Sequence, residues 1–150
     1  MTELQPAVRQ RWYAERALAC LDYTSLNLDD TPERIDLLCG RALLPAMGID
    51  IRPAAVCVYP RFAALAARRL EGSGINVAIV TNFPSGDLTE AMVLEEVEGA
   101  LRDGADEIDV VLPYRAYLAG RREDAMSLVR LVSHACRERD QPALLKVILE

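Results

Sequence analysis

Gly104-Ala105-Asp106-Glu107-Ile108-Asp109-Val110-Val111-Leu112-Pro113 decides how this chain is read. Val110, Val111 and Leu112 favour extended backbone, and Pro113 ends the run because it has no N–H to give to a ladder. Bounded by Gly104 and Pro113, the run reads as a short strand buried on both faces, as parallel sheets require. Asp106 and Glu107 are expected at a solvated strand entrance. Asp109 has no such exit, because Ile108 and Val110 flank it. Its carboxylate must be paired, hydrogen-bonded or shifted in pKa, since burying it alone is costly. Two readings stay open: a carboxylate that anchors neighbouring backbone, or a proton-transfer group inside a barrel.

The same pattern recurs on either side. Ala54 to Tyr59 forms a strand stopped by Pro60, and Val77 to Asn82 forms another that turns at Phe83-Pro84-Ser85-Gly86. Leu21 to Asn27 reads as the first strand and its loop, and Ala143 to Leu149 as the fifth strand. Helices are expected between them. The first, over residues 6–20, carries Val8, Trp12 and Leu18 on one face, with Trp12 read as a core or interface anchor. Thr31-Pro32 starts the next as N-cap and first helical residue. Ile35, Leu37, Leu38, Ala42 and Leu43 line it up to Pro45 and Gly48. A third covers residues 60–71. A fourth opens at Asp87 with Glu90 as a capping box and carries Met92, Val93, Val97, Ala100 and Leu101. After Pro113 comes a loop with Gly120, then a helix over 123–139 striped by Ala125, Leu128, Val129 and Val132.

Alternating strands and helices without a hairpin signal mean parallel strands joined by crossover helices. Three strands end alike, at Tyr59-Pro60, Phe83-Pro84 and Leu112-Pro113. Repeated units that present their carboxyl ends to one face point to an α/β fold, a partial (β/α)8 TIM barrel comprising its first five βα units. The competing architecture is a doubly wound open sheet, which usually carries a glycine-rich phosphate loop after its first strand. No G-x-G-x-x-G occurs. Five strands do not close a barrel, and the fifth is hydrophobic with no helix after it. Residues 1–150 are therefore expected to be the N-terminal portion of a single barrel domain, cut inside or just after the fifth strand. Roughly 100 further residues would complete it.

Composition narrows the function. A formal charge of −6 and a pI near 4.9 argue against nucleic acid or an acidic membrane as partner. No apolar run approaches the ~18 residues of a membrane span, and the stretch from Thr2 to Arg11 lacks a signal peptide's apolar core. Cys20, Cys39, Cys57 and Cys136 form no C-x-x-C pair and have only His134 near them in sequence. No metal site is expected, and the thiols read as reduced, in a cytoplasmic protein. Of 17 basic residues, 16 are arginine, which leaves Lys146 as the one lysine. An ammonium amid Leu144, Leu145, Val147 and Ile148 needs a carboxylate partner or a lowered pKa. If it points inward, Asp109 or Asp22 is the expected counter-ion.

Five motifs in order carry a family resemblance: Leu21-Asp22-Tyr23-Thr24-Ser25-Leu26-Asn27, Ala55 to Phe62, Val80 to Gly86, Gly104 to Arg115, and Leu144 to Glu150. They resemble successive strand motifs of the deoxyribose-phosphate aldolases, in that family's order and spacing. The resemblance implies a class I aldolase on a TIM barrel, needing no metal or cofactor. Such an enzyme reversibly cleaves 2-deoxy-D-ribose 5-phosphate to D-glyceraldehyde 3-phosphate and acetaldehyde through a lysine Schiff base. It implies Asp109 as the proton relay, Lys146 as electrostatic support near the reactive centre, and Asp22, Thr24 and Cys57 at the substrate pocket. The family's Schiff-base lysine and phosphate loops belong to strands beyond residue 150.

The chemistry is intelligible without the name. An attacking amine must be neutral, and a carboxylate must move protons as carbinolamine becomes iminium. The implied partners are small phosphorylated sugars and aldehydes, with a homo-oligomer or a complementary C-terminal fragment as protein partner. A reading from another class is a non-catalytic half-barrel assembly module that pairs its open edges with a second copy or a complementary chain. A third is a small anion-binding protein using the Ser85-Gly86-Asp87 helix start.

Overall fold

Five parallel strands hydrogen-bond in their chain order: Asp22–Thr24 (β1), Ala55–Val58 (β2), Asn76–Thr81 (β3), Glu107–Val111 (β4) and Leu144–Ile148 (β5). The structure, a computed structural model, describes residues 6–45 and 51–149. The helix stop expected at Gly48 and the terminal Glu150 lie outside the described residues. Every crossover shifts the chain by one strand in the same direction. A doubly wound sheet reverses that direction at its switch point, and no reversal occurs here. Side chains on the two outermost strands, Asp22 of β1 and Lys146 of β5, also touch. The sheet is therefore curled into an arc, part of a (β/α)8 barrel.

Six α-helices accompany the strands among the described residues: Pro6–Ala19 (α1), Pro32–Ala42 (α2), Ala63–Leu70 (α3), Glu90–Arg102 (α4), Tyr114–Leu118 (α5) and Arg122–Arg137 (α6). A 3-10 turn, Pro60–Phe62, precedes α3. Strand residues alternate between two faces. Val56, Val58, Val77, Ile79, Ile108 and Val110 pack with the helices in the main core. Each such side chain, fully buried, contributes about 1.5–3 kcal/mol. The concave face is built from smaller groups, Ala55, Cys57, Ala78 and Val80. Small residues there leave room inside the arc.

Local chemistry explains most element boundaries. The Thr31 hydroxyl accepts from Arg34 N–H at 3.4 Å, with Pro32 at the first helical position, as expected. The fourth helix starts later than its sequence suggests. Thr89, not Asp87, caps α4, and its hydroxyl accepts from Met92 N–H. Asp87 is instead ion-paired with Arg115, so Ser85-Gly86-Asp87 is not a helix start and the anion-site reading built on it falls. Residues 114–118 form α5 rather than loop.

Four apolar side chains expected on packed faces sit at the surface, Val8 among them at 50% exposure. Leu37 is 62% exposed, Met92 49% and Trp12 48%. Trp12 lies edge-on to Tyr13, with the Arg16 guanidinium over its ring, and does not anchor the core. No described helix is long and apolar enough to cross a membrane.

Candidate active site

Lys146 is the middle residue of β5, and its register partner on β4 is Asp109. Paired residues of parallel strands point to the same face, so register alone places amine and carboxyl side by side. Lys146 Nζ lies 3.1 Å from Asp109 Oδ1. Two residues earlier on β4, Glu107 shares that face, and its Oε2 is 2.8 Å from the same nitrogen. Across the concave side, Asp22 Oδ2 is 2.5 Å away. Three carboxylates from two strands thus surround one ammonium.

Around this cluster the wall is tight on one side and open on the other. Asp109 and Glu107 are buried, whereas Lys146 and Asp22 keep about a third of their side chains exposed, at 33% and 31%. Cys57, on β2, donates its thiol proton toward Asp109 Oδ2 at 3.9 Å. Thr24 faces Cys57 in register and is exposed, its hydroxyl bonded to the Asp22 carbonyl at 3.0 Å. The structure therefore brings together four of the five residues singled out from sequence, Asp22, Cys57, Asp109 and Lys146. Thr24 borders them at the rim.

Electrostatics gives the groups different roles. Burial pushes the Asp109 carboxyl above the usual carboxylate range. Lys146 pulls it back, and the charges of Asp22 and Glu107 push it up again. Burial alone would lower the Lys146 amine, but the hydrogen bonds it donates to Asp22 and Glu107 and the charge of Asp109 outweigh it, so the amine is raised above its ordinary 10.5. Lys146 is held as an ammonium and has no free lone pair with which to attack a carbonyl. Desolvation, helped by the Asp109 charge, pushes the Cys57 thiol up to about 12. A thiol that stays protonated is not a nucleophile at neutral pH.

Glu107 is the residue the sequence reading misplaced. It is 5% exposed and faces inward, not at a solvated entrance. The signal was available: Glu107 and Asp109 are two apart on a strand and must share a face. Its other oxygen, Oε1, accepts from Asn76 Nδ2 at 2.7 Å.

The Thr81-Asn82-Phe83-Pro84-Ser85-Gly86 motif proves architectural. Asn82, at φ +57°, donates from Nδ2 to the Val111 carbonyl at 2.8 Å and accepts Leu88 N–H at 2.9 Å. Its own N–H donates to Glu96 Oε2 at 2.9 Å. The bond to Val111 ties the carboxyl end of β3 to that of β4, and the other two tie it to α4 and the segment leading into it.

The profile of the DeoC/LacD family aldolases matches residues 16–150, nearly the whole chain. The chain belongs to the DeoC/LacD aldolase family. It is 44% identical over 143 residues to the deoxyribose-phosphate aldolase of Agrobacterium fabrum, covering 95% of this chain and 52% of that protein. A crystal structure from Coccidioides immitis, assigned to deoxyribose-phosphate aldolase, superposes at a TM-score of 0.75 with 28% identity. It covers all of this chain and 63% of its own. The tetrameric deoxyribose phosphate aldolase of Aeropyrum pernix, 24% identical over 91% of this chain and 53% of its own, shares the fold at a TM-score of 0.69. The chain thus spans about half the length of the curated relative it matches.

Proposed function

We propose that residues 1–150 are the N-terminal portion of a single TIM-barrel deoxyribose-phosphate aldolase domain and carry the proton-transfer side of its active site. The reaction is the reversible cleavage of 2-deoxy-D-ribose 5-phosphate to D-glyceraldehyde 3-phosphate and acetaldehyde, without a cofactor, in the cytoplasm. The observation that carries this reading is the contact of buried Asp109 with Lys146 on the concave face. Asp109 is the proton relay: raised by burial, it can hold a proton and release it as carbinolamine loses water. Lys146 is electrostatic support. Asp22, Thr24 and Cys57 border the pocket. The Schiff-base lysine is not among these 150 residues, whose one lysine is held charged.

Reductive trapping tests this. The chain is incubated with acetaldehyde and cyanoborohydride and mapped by peptide mass. Lys146 is expected to stay unmodified, and 2-deoxyribose 5-phosphate to release no acetaldehyde, until a chain supplying a sixth-strand lysine is added. Turnover by residues 1–150 alone would overturn the assignment.

A second reading has one observation in its favour. β1 and β5 are the outermost strands of the sheet, and beside β5 lies an apolar groove of about 520 Å³ lined by Leu112, Tyr114, Leu118, Val147 and Leu149. A half-barrel assembly module would cover it with a second copy or a complementary chain. Sedimentation decides the point, since a stable, strictly monomeric 16.6 kDa species would exclude pairing through these edges.

A further inference from the structure

Asn76 opens β3 at the solvent-exposed end of the strand. Its amide reaches 2.7 Å to Glu107 Oε1, while Glu107 Oε2 reaches 2.8 Å to Lys146 Nζ. Glu107 is thus clamped at both oxygens, between a neutral donor on one neighbouring strand and a cation on the other. Rotation of the Glu107 carboxylate away from the ammonium would break both contacts, and in this position the ammonium sits 3.1 Å from Asp109.

We propose that Glu107, held by Asn76, is a positioning residue that fixes the Lys146 ammonium against Asp109 and so sets the charge state in which Asp109 exchanges protons. The role rests on the proposed assignment of Asp109 as proton relay, and Glu107 itself touches no substrate in it. The groups facing Asp109 are Lys146 from β5, Glu107 from its own strand, Asp22 from β1 and Cys57 from β2. Of these, Glu107 is the one held by a separate anchor at the strand entrance. Asp22 approaches from the first strand and is partly exposed.

The test is a carboxyl-carbon NMR titration of Asp109 in the 150-residue chain and in two variants, Glu107→Gln and Asn76→Ala. Glu107→Gln removes a like charge, which alone would lower the Asp109 midpoint. It also frees the Lys146 ammonium from Asp109, so the positioning role predicts that the midpoint rises. Asn76→Ala, at an exposed position, leaves the core untouched but frees Glu107 to swing outward. The midpoint rises here too, by a smaller amount, although the Glu107 charge is kept. If Glu107 acts only as a nearby charge or only holds the fold, the Asp109 midpoint falls in Glu107→Gln and stays where it was in Asn76→Ala, which would overturn the proposal. Acetaldehyde trapping is independent of these midpoints. Failure of the aldolase reading and failure of the positioning role are therefore told apart.

Discussion

Asp22 and Lys146 are 124 residues apart and meet at 2.5 Å, the first strand to the fifth, across the hollow of the sheet. The contact depends on curvature: in a flat five-stranded sheet the outer strands stand roughly 19 Å apart. It therefore reports both the barrel-like arc and the charge balance of the site, with three carboxylates against one ammonium.

That balance makes Lys146 a stability determinant. Lys146→Met leaves Asp22, Glu107 and Asp109 facing one another without a cation. We expect a loss of about 1–3 kcal/mol at pH 7, tempered by the partial exposure of the amine. In the variant, Asp109 loses the cation that pulled it down, while burial and the neighbouring charges still hold its folded-state pKa above the unfolded one, so the native state binds more protons. Its stability then rises as pH falls from 7 toward 5, narrowing the gap to the parent chain. In the parent, Lys146 contributes fully below its ordinary value of 10.5, and that contribution is lost as pH climbs through the raised folded value. Urea unfolding across pH measures both. Equal stabilities at pH 7 would contradict the ion-pair account.

Thiol reactivity follows burial. All four cysteines are free, but only Cys20 is exposed. Cys39 and Cys57 are pushed up to about 11 and about 12, chiefly by desolvation. Iodoacetamide at neutral pH should label Cys20 first, and Cys39, Cys57 and Cys136 only on unfolding. Mass mapping of a time course checks this, and rapid native-state labelling of Cys57 would show an activated thiol instead.

Much of this was readable in the residues. Pro60, Pro84 and Pro113 marked strand ends because proline cannot extend a ladder. The one lysine and a carboxylate inside an apolar run pointed to each other because each needed a partner. Glu107 was misplaced by position along the strand when its parity with Asp109 held the answer. Trp12 misled because a large aromatic is usually packed, and α1 leaves it at the surface. Asp87-x-x-Glu90 looked like a cap, but Arg115, 28 residues on, takes the aspartate. Leu88 N–H bonds to Asn82, which delays the helix start to Thr89. The Asp87–Arg115 pair, like the contact of Asp22 with Lys146, joins chain segments that meet only once folded.

The turn after β3 should be intolerant of a side chain. Gly86 has φ +68°, and a Cβ there would stand 2.7 Å from the Leu112 carbonyl oxygen. Gly120 also has a positive φ, +83°, but open space around it. Gly120→Ala should cost about 1 kcal/mol from backbone strain alone, and Gly86→Ala clearly more, because backbone must move as well. Thermal unfolding of the two variants compares them directly. Equal losses would mean that the β3–β4 junction is looser than its hydrogen bonds imply.

In the proposed site, Lys146 is a charged support and not a nucleophile. Because it is the one lysine, selective labelling gives a single side-chain resonance, free of overlap, to follow with pH. The account predicts that this resonance titrates above the ordinary 10.5, and that Asp22→Asn brings its midpoint down. A midpoint below 10.5 in the parent chain, in the range where an amine is free to attack carbonyls, would contradict it.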